Sequence, residues 1–219
     1  MSDDALGLDE AYSVKTPEDN KRLYAKWAAT YDTSFVDAKQ YRYPKAISEV
    51  FDQVVTDSVS RVLDIGTGTG LTGMYLSRLR PNVVLDGMDI SREMLEQAKL
   101  KTRTDGTAVY RQLYERDLTG DVANENAPYE ALISSGTFTH GHLGPECLRN
   151  LLPLLAHDGW LVVGVNNEHF ESKNFAGELD ALVSIGAITK PDIARIDVYE
   201  PGSEHFGDQA RVIVTRAIN

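Results

Sequence analysis

The sequence predicts an α/β fold: a doubly wound, mostly parallel sheet of seven strands, ending in an antiparallel hairpin and preceded by a helical extension. Three observations carry this. Short apolar runs alternate with amphipathic segments between residues 61 and 165, the pattern of parallel strands covered by helices on both faces. The first of these runs leads straight into a glycine-rich turn, where the backbone needs unusual freedom. The last two apolar runs have no helix between them, so they pair antiparallel.

Taken in order, the first dozen residues are acidic and lack apolar periodicity, and are expected to fray. Thr16-Pro17-Glu18-Asp19 is a helix start, with a capping hydroxyl, a proline in the first turn and acids at the positive end of the dipole. Leu23, Trp27 and Ala28 share a face of that helix. Tyr31 to Tyr43 is aromatic-rich and reads as irregular. A second helix starts near Pro44, with Ile47, Val50, Phe51, Val54 and Val55 at helical spacing. Strands are predicted at Arg61–Ile65, Val83–Met88, Ala108–Leu113, Ala131–Ser134 and Trp160–Val165. Helices are predicted at Leu71–Leu79, Arg92–Lys101 and Pro145–Leu155, with a weaker one at Asp121–Asn126. A loop follows Val165, then a helix around Phe175–Ile185 and the two closing strands, Ile193–Tyr199 and Ala210–Ala217.

Length and charge narrow the field. A chain of 219 residues fits one domain, here residues 1–219, with an extension over 1–43 and a core over 44–219. With 42% hydrophobic residues it can fill a core. No apolar run approaches the ~20 residues that span a bilayer. The acidic start, Met-Ser-Asp-Asp, has no apolar export segment, which predicts a cytoplasmic protein. Cys147 is the one cysteine, so neither an internal disulfide nor a paired-cysteine zinc site is available. The net charge is −11, and no window is strongly basic. This argues against nucleic acid or an anionic membrane as the main partner.

The chemistry concentrates in Val62-Leu63-Asp64-Ile65-Gly66-Thr67-Gly68-Thr69-Gly70. Glycines after a strand let a ligand approach the backbone, and the helix beyond offers unpaired N–H groups. The spacing is G-x-G-x-G, one residue short of the dinucleotide fingerprint, and the Gly-Lys-Ser/Thr ending of a phosphate loop is missing. Asp64 inside the strand suits a ligand bearing an ammonium group better than a pyrophosphate. The next strand ends at Asp89, placed to accept hydrogen bonds from two ribose hydroxyls, while Ser91 can cap the helix that follows.

Val62–Gly70, with Asp89-Ile90-Ser91 followed by Met94-Leu95 and Ala98, resembles the class I S-adenosylmethionine-dependent methyltransferases, in their small-molecule branch. Arg116-Asp117-Leu118, Tyr129–Gly136 and Leu151–Val163 fit that family's later motifs in order. The resemblance implies a Rossmann-like sheet and assigns roles. Gly66, Thr67 and Gly68 would line the methionyl part of the cofactor, and Asp64 would reach its amino group. Asp89 would bind the ribose, with Ile90 on the adenine face and Met94 nearby. Asp117 would accept from the adenine amino group and the Leu118 amide would donate to the ring. Ser134 and Ser135 would lie under the sulfonium. Where the family often has Asp early in strand four, this chain has Glu130. The implied reaction is methylation of a small-molecule acceptor, leaving S-adenosylhomocysteine.

No residue is marked as catalytic, since in-line methyl transfer needs mainly positioning and a dry pocket. His140 and His142 stand after the fourth strand, where a histidine could act as general base or simply belong to a loop. Two such ligands without a third do not make a metal site. Asn166-Asn167-Glu168-His169 are candidates to touch substrate. Trp27, Tyr31, Tyr41 and Tyr43 either pack on the sheet or form a lid over cofactor and substrate. Two other readings remain: a non-catalytic S-adenosylmethionine-binding sensor or partner subunit, and an NAD(P)-dependent oxidoreductase. The Asn/Asp-Pro-Pro-Tyr/Phe motif of amino-methylating nucleic-acid enzymes is missing at Ser134-Ser135-Gly136-Thr137, and Cys147 is not in a Pro-Cys pair.

Overall fold

A computed structural model describes residues 17–120, 122 and 127–218. The frayed start, the Thr16 cap and most of the weak helix at Asp121–Asn126 lie outside the described residues. The seven strands form one sheet in the order β3-β2-β1-β4-β5-β7-β6. They are β1 (Arg61–Ile65), β2 (Val84–Asp89), β3 (Tyr110–Glu115), β4 (Tyr129–Phe138), β5 (Leu155–Asn166), β6 (Asp192–Asp197) and β7 (Gln209–Arg216). The pairs among β1 to β5 are parallel, and β7 runs antiparallel to both β5 and β6. The expected fold class is therefore present, including the C-terminal antiparallel pair.

The helices are α1 (Pro17–Trp27), α2 (Tyr43–Val54), α3 (Leu71–Leu79), α4 (Arg92–Lys99), α5 (Cys147–Leu151), α6 (Asn167–Ser172) and α7 (Phe175–Ser184). Strand alternation sends neighbouring residues to opposite faces, and both faces are covered. Val62, Ala131, Ile133 and Val162 pack with Ile47 and Phe51 of α2 and Leu76 of α3. Leu63, Ile65, Leu132 and Val163 pack with Leu148 and Leu151 of α5 and Leu179 and Leu182 of α7. Two cores on two faces explain why apolar residues stand side by side in β1 (Val62-Leu63), β4 (Ala131-Leu132-Ile133) and β5 (Leu161-Val162-Val163).

Four local expectations need correction. The stretch after Tyr31 is not irregular: Asp32–Asp37 forms a π-helical turn, burying Phe35 and Val36. No loop follows β5, because α6 begins at Asn167 with the Asn166 side chain accepting from the His169 amide. The helix predicted over Pro145–Leu155 is shorter, since Pro153 sits in a tight 3-10 turn, Leu152–Leu154, and Leu155 already belongs to β5. The third strand starts at Tyr110 rather than Ala108, because its pairing with β2 begins at Leu85 opposite Tyr110. Glu130, the departure in strand four, accepts hydrogen bonds from the Ser60 and Arg61 amides at 2.6 and 2.9 Å, tying the start of β4 to β1.

Candidate active site

The strand order reverses direction between β1 and β4, and in open α/β sheets the ligand crevice lies beyond the strand ends at such a point. A cavity of about 260 Å³ opens there. One end is built from the glycine loop and the β2–α4 junction, the other from the N-terminal aromatics and the β6–β7 connection.

The glycine loop hangs from the ends of β1 and β2. The Gly66 and Thr67 amides both donate to the Met88 carbonyl, at 2.8 and 3.1 Å. Gly66 has φ +66°, and a Cβ there would collide with Thr137. Gly68 has φ +54° with open space where a Cβ would stand. Its amide donates to Asp89 Oδ2 at 2.8 Å. Asp89 Oδ1 accepts from the Ser91 amide at 2.9 Å. Ser91 in turn caps α4, accepting from the Met94 amide. Asp89 is thus both a loop tie and a cavity wall, and each of its oxygens keeps a further acceptor direction. Burial pushes its carboxyl pKa upward against hydrogen bonds that lower it.

Of the residues assigned to a cofactor, Gly66, Thr67, Gly68, Asp89, Ile90, Met94, Asp117, Leu118 and Ser135 all line the cavity. Asp117 is exposed, its Oδ1 accepting from the Thr119 amide at 2.9 Å. The structure does not bring Asp64 and Ser134 into the lining. Both are fully buried. Ser134 Oγ donates to the Ile65 carbonyl at 2.8 Å, locking β4 to β1. Asp64 Oδ2 accepts from the Tyr110 hydroxyl at 2.6 Å, and that hydroxyl accepts from the Gly73 amide at 3.2 Å. Burial raises the Asp64 carboxyl to about 7, offset in part by the Tyr110 bond. The role left to Asp64 is to hold β1, α3 and β3 together behind the glycine loop.

His142, not His140, lines the cavity. His142 Nδ1 lies 2.9 Å from the His140 carbonyl. A carbonyl only accepts, so Nδ1 carries the proton and Nε2 is a bare acceptor. Nε2 is buried without a partner among the described residues. Burial pushes the imidazole down to about 4, so the ring is neutral near pH 7. His140 instead stands 3.7 Å from Glu168. Asn166 lines the cavity, while Asn167 accepts from Arg211 and His169 is buried. Among the described residues no group of three His, Cys, Asp or Glu side chains is placed to hold a metal ion.

The aromatics flagged in the sequence all reach the cavity, joined by Tyr24, Phe35 and Tyr199. They form a continuous belt. Tyr199 meets Tyr41 at 5.5 Å, Tyr41 meets Phe35 at 5.2 Å, and Phe35 meets Trp27 at 5.2 Å between ring centroids. Trp27 meets Tyr24 at 6.1 Å, and Tyr24 meets His142 at 5.7 Å. Tyr24, Phe35, Tyr199 and Asp208 were not legible as site residues, because only the tertiary fold brings them together.

With this geometry in view, residues 63–161 match the methyltransferase domain family. The matched stretch runs from β1 into β5, so the part of the sheet that builds the cavity is the part that resembles that family. Among curated proteins, it is similar to the tRNA1(Val) (adenine(37)-N6)-methyltransferase of Parabacteroides distasonis. The two are 32% identical over 97 residues, which is 44% of this chain and 40% of that protein. It is also similar to the mitochondrial ubiquinone biosynthesis O-methyltransferase of Candida albicans, 27% identical over 121 residues, 55% of this chain and 37% of that protein. The chain thus spans about two fifths of the length of these curated relatives. A solved S-adenosylmethionine-dependent methyltransferase from Clostridium acetobutylicum superposes with a TM-score of 0.59 at 14% identity, over 90% of this chain and 100% of that one. Among the described residues no helix is long and apolar enough to cross a membrane.

Proposed function

We propose that this chain transfers a methyl group from S-adenosylmethionine to a small-molecule acceptor. The observation that carries the reading is a single cavity with a nucleoside-type wall at one end and an aromatic wall at the other. Bound S-adenosylmethionine supplies a sulfonium methyl, whose transfer forms the bond to the acceptor, breaks the methyl–sulfur bond and leaves S-adenosylhomocysteine.

The chain's own residues bind, orient and exclude water. Asp89 takes the ribose hydroxyls on the acceptor directions left after its bonds to the Gly68 and Ser91 amides. Ile90, Met94 and Leu118 enclose the adenine, and Asp117 accepts from its amino group. Gly68 leaves the methionyl portion room against the backbone. Asp64 acts from behind the loop, through Tyr110 and Gly73. Within the extension over residues 1–43, the described part from residue 17 on serves as the roof of the acceptor end, and residues 44–219 form the cofactor-binding core.

A cavity of this volume suits a compact acceptor, and a net charge of −11 disfavours a phosphate backbone. One relative is named for O-methylation in ubiquinone biosynthesis and another for a tRNA adenine, so the acceptor class is the point to test. The protein is incubated with methyl-labelled S-adenosylmethionine and a metabolite extract, total RNA or total protein. Label entering the metabolite fraction above a Gly66→Arg control is expected. Label entering RNA or protein while the metabolite fraction stays blank contradicts the small-acceptor reading.

A further inference from the structure

Among the described residues that line the cavity, the charged ones all have one sign. Asp89, Asp117 and Asp208 are in its lining, and among the described residues that line it there is no lysine or arginine. His142 adds no positive charge, because its Nδ1 proton is held by the His140 carbonyl and Nε2 is bare. Asp89 and Asp117 belong to the cofactor end. Asp208 stands apart, at the end of the β6–β7 connection, where its carbonyl accepts from the Val198 amide at 2.9 Å beside Tyr199. The ring belt from Tyr199 to His142 shares the lining with it.

We propose that the acceptor is a compact amine bound as its cation, its charge shared between the faces of the aromatic belt and the Asp208 carboxylate, and that the ammonium gives up a proton to solvent before its nitrogen lone pair takes the methyl. Three physical arguments favour this over a neutral or anionic acceptor. Aromatic faces are electron-rich and attract an ammonium, more strongly where water is excluded. A carboxylate in the cavity lining adds to that field, and a net charge of −11 extends it outward. An anionic acceptor would give up its hydration for a lining whose described residues include no cation to replace it. His142 Nε2, a buried acceptor without a partner, is of the type that an N–H donor satisfies.

This inference rests on the methyltransferase reading above, and its test separates the two. S-adenosylhomocysteine is first titrated into the protein. The loaded protein is then titrated with 2-phenylethylamine, 2-phenylethanol and 3-phenylpropionate, three probes of similar size and different charge. The amine is expected to bind about tenfold more tightly than the carboxylate, with the alcohol between them. In Asp208→Asn the gap between amine and carboxylate should shrink by about threefold while the affinity for S-adenosylhomocysteine stays as it was. The backbone bond to Val198 survives that substitution, so a misfolded variant is not expected. Tighter binding of the carboxylate than of the amine, or binding of none of the three to the loaded protein, overturns the inference and leaves the function standing. Failure of S-adenosylhomocysteine to bind at all removes the proposed function and this inference with it.

Discussion

The Thr69 hydroxyl donates a hydrogen bond to Asp32 Oδ1 at 2.6 Å, joining the π-helical turn of the N-terminal segment to the glycine loop. The other oxygen of Asp32 pairs with Lys101, just beyond α4. One carboxylate therefore fastens the aromatic roof to both elements that flank the cofactor end. Both partners are largely shielded, which gives the pair more weight than an open surface ion pair.

From this tie we expect the roof to respond to ligand. Hydrogen exchange over Trp27–Tyr43 should slow when S-adenosylhomocysteine is added. Asp32→Ala should raise exchange in the same segment in the free protein. Identical exchange in all three samples would mean that Asp32 holds nothing and that the segment is a static packing element.

Asp89→Ala should weaken S-adenosylhomocysteine binding by about 2–4 kcal/mol, from two charged hydrogen bonds at ~1.5–3 kcal/mol each before solvent compensation. The bonds to Gly68 and Ser91 are lost as well, so the melting temperature should also fall. Calorimetric titration and a thermal melt measure both. An unchanged affinity with a lowered melting temperature would reduce Asp89 to a loop tie.

Much of this site was readable in the sequence, and what was not has identifiable causes. Alternating apolar runs located β1 and β5 because both are buried on two faces. The acid at the end of β2 was legible from its place after a strand. Asp64 was expected to touch ligand because it precedes the glycines. Yet it shares the face of Val62, two residues earlier, and that face is buried under helices. Its partner Tyr110 is 46 residues away, with no sequence signal linking them. The π-helical turn escaped because its buried pair, Phe35 and Val36, is adjacent and sets up no helical period. The six-residue α6 is too short to show one. His142 could be told from its neighbour His140 only by the loop's path.

Asp64 yields a prediction with a definite sign. Its carboxyl is raised to about 7 in the folded chain, above its ordinary value of 3.8. The folded state thus holds a proton that the unfolded state releases, and stability falls as pH rises from about 4 to about 7. Asp64→Asn keeps an acceptor for the Tyr110 hydroxyl without the buried charge. The variant should melt higher than the parent at pH 8, with the difference shrinking toward pH 5. A variant that melts lower at pH 8 would show that the ionised carboxylate is needed for the fold.

The buried histidines act in the opposite direction. His142 is depressed to about 4 by burial, and His169 is lowered for the same leading reason. The unfolded chain takes up these protons first, near pH 6.5, so stability falls as pH drops from about 6.5 toward about 4. His142→Gln should flatten the melting profile over that window. An unaltered slope would mean that His142 is accessible enough to titrate normally in the folded chain.

The central claim, that the glycine loop and Asp89 form an S-adenosylmethionine site, is tested most directly by calorimetric titration with S-adenosylhomocysteine and, separately, with NAD. Saturable binding of S-adenosylhomocysteine at one site per chain is expected, with no binding of NAD. Saturable binding of NAD, with no heat from S-adenosylhomocysteine, would contradict it.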